Sequence, residues 1–158
     1  VLSKPKINKM INIVEVGSAS RTYDYFKTKQ KIYQKERINC GYACILDGDM
    51  REKKSHDGQL QYPIEDLLFF HYSNYSPERM LVEAFSNEHK DTTLEYHVAH
   101  SNPHMLFEKM VELGLVSSNS DAFEKCWNSL MKTEAGTNYL YELNDFLYRC
   151  CQHFAPQI

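Results

Sequence analysis

The run Tyr42-Ala43-Cys44-Ile45-Leu46 is followed at once by Asp47-Gly48-Asp49 and then by the charged chain at Arg51–Lys54. No other feature limits the fold as much. An apolar run this short favours a buried strand over a buried helix, and it ends abruptly in two carboxylates. Upstream, the segment from Arg21 to Arg37 sets Tyr23, Phe26 and Tyr33 near one stripe with lysines opposite, which predicts an amphipathic helix ended by Asn39–Gly41. Before it, residues 7–16 (INKMINIVEV) place Ile11 and Ile13 on one parity and Val14 and Val16 on the other. That pattern predicts a strand covered on both faces. Gly17-Ser18-Ala19-Ser20 breaks it and offers a serine to cap the helix. Strand, helix and strand in this order make the βαβ unit of a parallel sheet.

Further along, the charged loop 51–59 turns at Asp57-Gly58 and leads to YPIEDLLFFHY, where Pro63 is placed to open a helical turn. From Ser76 onward the pattern is helical. Ser76 caps a helix with Pro77 in its first turn, where the missing N–H does no harm. A second helix runs from Pro103 to a stop at Gly114, a third starts from Ser120 and Asp121, and an aromatic-rich last helix closes before Pro156. The expected fold class is α/β. Residues 1–72 form a parallel-sheet βαβ core, and residues 73–158 form a helical C-terminal portion packed on it.

Its 158 residues suffice for one domain with a real core. The net charge is −3 and the pI is near 6.2, so there is no global basic signature. A nucleic-acid footprint therefore has to be local or come from another chain. No apolar run approaches the roughly 18 to 20 residues that span a bilayer, and no signal peptide is visible, so no membrane partner is expected. Five cysteines, an odd number without a secretory context, are expected to be reduced thiols in a cytoplasm. The chain begins at Val1, not Met, and is expected to be a piece of something longer.

In an open parallel sheet, ligands gather outside the carboxyl ends of the strands, which is where the strand assignment puts Asp47. Two carboxylates spaced i, i+2 can converge, and Gly48 lets the backbone bend closely. Mg²⁺ (or Mn²⁺) takes oxygen ligands and keeps several waters, so one or two carboxylates plus a phosphate make a sufficient site. The bland alternative is an Asp-Gly turn at a strand end. His97, His100 and His104, with His89 nearby, have short spacings of the kind zinc uses. Pro103 and a helix start interrupt them, so a polar loop is the expectation there. No glycine-rich phosphate loop occurs, and any ATP must be bound elsewhere.

INIVEVGSASRTYDYFKTKQ, YACILDGDM and PIEDLL together resemble the TOPRIM (topoisomerase–primase) nuclease domain of OLD-family ATP-dependent endonucleases. The resemblance covers about residues 10–70, and its specific element is the hydrophobic run ending in Asp47-Gly48-Asp49. It implies a Mg²⁺-dependent DNA endonuclease with Asp47 and Asp49 as metal-binding catalytic residues. Glu65 in PIEDLL is implied as a further ligand. The family's upstream glutamate falls on Glu15 in one alignment. In the other, IVEVGSAS is the family's second strand, and the core lacks its first strand and the glutamate on it. Lys53 and Lys54 are candidates for contacting the scissile phosphate, or simply a solvated lysine pair. The resemblance further implies DNA and an ATPase domain as partners, with that domain upstream or in another chain. It also implies an oligomer and a role in bacterial defence against phage. Two alternatives stand beside it: a catalytically degenerate scaffold that binds a partner or nucleic acid, and a receiver- or hydrolase-like domain in which Asp47 accepts a phosphoryl group.

Overall fold

A computed structural model describes residues 11–36 and 41–154. The chain is mixed α/β and mostly helical, with one small parallel sheet. Helix α1 spans Ala19–Glu36, strand β1 Cys44–Leu46 and strand β2 Leu68–Phe70. Five helices follow: α2 Pro77–His89, α3 Thr92–His100, α4 Leu106–Glu112, α5 Asn119–Leu130 and α6 Glu134–Phe154. Among the described residues no helix is long and apolar enough to cross a membrane.

β1 and β2 pair in parallel, Cys44 opposite Leu68 and Leu46 opposite Phe70. The ladder extends one bond past each end, from Cys44 N–H to the Leu67 carbonyl (2.8 Å) and from His71 N–H to the Leu46 carbonyl (2.9 Å). Strand alternation then sorts the side chains. Leu68 and Phe70 join Cys44, Leu46, Phe26 and Tyr62 in a cluster under α1. Phe69 points the other way, stacking on Phe146 of α6 with ring centroids 5.1 Å apart. Helices thus cover both faces of a two-stranded sheet. The larger apolar cluster is all-helical: Leu94, Leu106, Met110, Ala122 and Cys126 are wholly buried where α2 to α5 meet.

Local chemistry explains the helix starts. Ser76 Oγ accepts the Arg79 N–H at the head of α2, with Pro77 in its first turn, and Asp91 accepts the Leu94 N–H at the head of α3. The third expected start is displaced by two residues: Ser118, not Ser120, caps α5 by accepting the Asp121 N–H. Helix α6 begins at Glu134, three residues before the aromatic-rich pattern that predicted it.

Three expectations need correction, one being that His97 and His100, expected in a polar loop, lie on helix α3, which Asp91 caps. Residues 11–16 form no strand; Ile13 is 89% exposed and Val14 57%, and among the described residues no strand lies alongside to satisfy their backbone groups. Residues 7–10 of that expected strand lie outside the described residues. The βαβ unit therefore does not run through α1 as expected. The parallel pair is β1 with β2, joined by the irregular arm 47–67 and not by a helix. Third, Pro63 opens no helix: Leu68–Phe70 is a buried strand, whose pairing with β1 overrides the helix-start look of Pro63, Glu65 and Asp66.

If Phe146 is the anchor of α6 on the sheet, Phe146→Ala costs about 3–5 kcal/mol in urea unfolding. Tyr148→Ala, on an exposed position of the same helix, stays within about 0.5 kcal/mol. Equal effects at the two positions would contradict this packing.

Candidate functional site

Because β1 and β2 are parallel and in register, their following residues emerge at the same edge. Asp47 follows Leu46, and His71 follows Phe70. The Asp47-Gly48-Asp49 corner is clamped against the chain leaving β2. A Cβ on Gly48 would lie 1.8 Å from the Ser73 carbonyl oxygen and 2.6 Å from that of His71, so only glycine fits. Gly48–Met50 forms a 3-10 turn, and Arg51 donates from Nη2 to the His71 carbonyl at 3.2 Å. Both strand ends are thereby fastened to each other.

Asp47 is half-buried. Burial pushes its pKa above the usual value; Asp49 and then Glu78 push the same way, while His71 and His104 pull it back. Glu78 sits in the first turn of α2. One of its oxygens, Oε1, meets His104 Nδ1 at 3.2 Å, and the other, Oε2, is buried with no hydrogen-bond partner among the described residues. His71 is held from behind. Its Nδ1 lies 3.0 Å from the Tyr139 hydroxyl, and the two rings stack at 5.5 Å. Burial lowers the pKa of His71, against the pull of Asp47, and burial raises that of Tyr139. A neutral imidazole accepting the phenol proton at Nδ1 carries its own proton on Nε2.

The arrangement gathers three carboxylates and two imidazoles within electrostatic reach at one strand edge. It is not a closed cage: among the described residues no group of three or more His, Cys, Asp or Glu side chains is close enough to hold a metal ion. Asp47 and Asp49 could offer one or two carboxylates to a hard cation, an ion that fills its remaining positions with water or other oxygen ligands.

Of the residues singled out from sequence, Asp47 and Asp49 come together here. Glu65 does not. It precedes β2, at the opposite end of the pair, where its carboxylate accepts from Tyr23 Oη (2.6 Å) and Lys27 Nζ (2.9 Å). Burial alone would raise its pKa, but those two hydrogen bonds and the lysine charge outweigh it and bring the pKa down. Glu15 is exposed, ahead of α1. Lys53 and Lys54 are exposed on the 47–67 arm, where Lys54 bridges to Leu60. The four histidines have separate partners: His89 with the Phe85 carbonyl, His97 with Ser101, His100 with the Tyr96 carbonyl and His104 with Glu78. Cys44, Cys126 and Cys150 are buried thiols, the first two pushed up to about 12 and the third to about 11 by burial, and hence poor nucleophiles. Cys40 lies outside the described residues.

The sequence reading missed His71, Glu78 and Tyr139. His71 was findable, since it follows its apolar run as Asp47 follows Leu46. Glu78 stands in the first turn of a helix, where acids are commonplace, and nothing local marks Tyr139. No protein-family model matches the chain, nor does any curated protein or solved structure.

Two outcomes follow. The ionised form of Asp47 is disfavoured in the fold, so its charge lowers stability above the raised pKa and ceases to matter below the usual value near 3.8. Asp47→Asn is expected to be more stable than the parent at neutral pH, with the margin closing as pH falls through that window. Urea midpoints against pH measure it, and a less stable variant at neutral pH contradicts it. Glu65→Gln, by contrast, is expected to cost about 1 kcal/mol, a partly solvated charged pair. It should leave Mn²⁺ affinity unchanged in a calorimetric titration; lost affinity would return Glu65 to the site.

Proposed function

We propose that this chain carries the aspartate part of a TOPRIM-type nuclease site that hydrolyses DNA phosphodiesters with Mg²⁺ or Mn²⁺. The observation that carries the reading is Asp47: a half-buried carboxylate at the carboxyl edge of a parallel pair, with Asp49 and Glu78 adding negative charge against it. Such a concentration opposes folding unless a cation uses it. The buried, unpartnered Oε2 of Glu78 points the same way, since an orphaned acceptor is costly.

Asp47 and Asp49 would hold the ion, and Glu78 would add negative charge from outside its coordination sphere. When bound, the ion would supply Lewis-acid activation of the phosphodiester and of water. The chain's own residues do the rest. His71, its ring fixed by Tyr139, offers an Nε2 proton to an oxygen near Asp47. Gly48 and Arg51 keep the corner from shifting. Lys53 and Lys54, on an exposed arm, can meet the phosphate backbone by charge alone. The wider reading includes an ATPase domain upstream or in a partner chain, an oligomer and phage defence, which rest on the sequence resemblance, and a cytoplasmic setting, which rests on the odd cysteine count without a secretory context.

A second reading, a scaffold of this type that binds nucleic acid without cutting it, is favoured by one observation. Among the described residues no further acidic group closes a three-ligand set. Plasmid nicking separates the two. The nuclease reading expects nicking that depends on Mg²⁺ or Mn²⁺, and a loss of at least about a hundredfold in Asp47→Ala and in Asp49→Ala. No nicking with either metal, by the chain alone or joined to its adjoining segments, contradicts it.

A further inference from the structure

Charge is unevenly shared along the chain. Residues 1–72 hold twelve lysines and arginines against nine aspartates and glutamates, whereas residues 73–158 hold six against twelve. Helix α1 concentrates the positive part, with five basic residues against two acidic ones in its 18 residues. In the helical portion the bases are engaged: Lys109, Lys125, Lys132 and Arg149 each pair with a carboxylate. Among the described side chains of α1, Lys27 alone does so, with Glu65. Arg21 and Lys31 are exposed and meet no carboxylate among the described residues. Lys29 is half-buried and held by two rings, its ammonium 5.2 Å from the ring centre of Tyr25 and 5.8 Å from that of Tyr42. A ring face attracts an ammonium without cancelling its charge.

Phe26 fixes the inner side of α1 against the sheet. At about 3.6 residues per turn, Arg21, Tyr25 and Thr28 then fall on the outer side, with Lys29 and Lys31 on its two flanks. Asp24 lies on this side too and offsets part of the charge. Arg21 and Lys31 stand about 15 Å apart along the axis, so a small anion meets one or two of the three cations. A polyanion with a charge about every 1.7 Å, such as duplex DNA, meets them all. The acidic portion of a second copy is a poorer occupant. Several of its acids are already paired with bases, and joining two unlike faces builds rings or filaments instead of a closed pair. We propose that the outer side of α1 binds the phosphodiester backbone of nucleic acid through Arg21, Lys29 and Lys31. Contacts of this kind position a strand without reading its bases. The acidic helical portion repels the same polyanion and so turns α1 toward it. That the strand held here is the one cut beside Asp47 rests on the nuclease reading; the binding itself stands on the charge pattern alone.

The test uses fluorescence anisotropy of a labelled DNA duplex across a salt series in EDTA, so that no metal chemistry enters. The parent protein is expected to bind at low salt, with log K falling against log salt by a slope of at least about 2.7 for three phosphates. Arg21→Gln, Lys29→Gln and Lys31→Gln together should flatten that slope by about 2.7 and weaken low-salt binding at least about tenfold. Lys109→Gln, Lys125→Gln and Lys132→Gln remove the same charge from the helical portion and are expected to change binding by less than about threefold. Circular dichroism checks that both triple variants fold. Should the α1 triple unfold, Arg21→Gln and Lys31→Gln taken singly, both at exposed positions, should each flatten the slope by about one. No binding by the parent overturns the proposal, as does equal weakening in the two triples or an unchanged slope in folded α1 variants. Self-association that the α1 triple abolishes, with DNA binding untouched, overturns it in favour of a second copy. Binding through α1 without metal-dependent nicking sinks the nuclease reading alone, and nicking without any part for α1 in binding sinks this surface alone.

Discussion

The parallel pairing of Cys44–Leu46 with Leu68–Phe70 is the constraint on which the rest depends. Its register decides which face every neighbouring residue meets. Leu68 and Phe70 turn to α1, and Phe69 turns to α6. The same register brings the residues after both strands to one edge, and the His71 N–H to Leu46 carbonyl bond carries the ladder to that edge. A slip of one residue would reverse the faces of β2 and separate His71 from Asp47.

That edge is then held by interactions of different kinds. Gly48 lets two backbones meet closer than any side chain would allow, and Arg51 binds the carbonyls that leave β2. From the far side, Trp127 of α5 meets Tyr139 of α6 edge-on, with ring centres 5.9 Å apart, and Tyr139 in turn stacks on His71. The helical core thus reaches the site through two rings. Close backbone packing and stacked rings support this edge, while Asp49 and Glu78 load Asp47 with like charge.

Much of this was legible in the sequence, for physical reasons. A short apolar run that ends in carboxylates has few other fates, and Ser76-Pro77 announces a helix with little ambiguity. The errors share a cause. Residues 11–16 carry a strand's pattern but have no strand beside them among the described residues, and a strand is defined by its partner. Leu68–Phe70 lies behind Pro63 and two acids that mimic a helix start, and only β1 makes it a strand. Glu65 was attached to the site by resemblance, whereas Tyr23 and Lys27, both on α1, hold it at the other end of the pair. His71, Glu78 and Tyr139 meet through long-range packing, which no local pattern encodes.

The central claim is that negative charge concentrated at the carboxyl edge of β1 and β2 is built to receive a divalent cation. Anomalous diffraction from a crystal soaked in Mn²⁺ tests it most directly. The expected result is a peak within roughly 2.0–2.3 Å of carboxylate oxygens of Asp47 and Asp49, with water in the remaining positions. A crystal with no peak at that edge and the two carboxylates turned away from each other would contradict it.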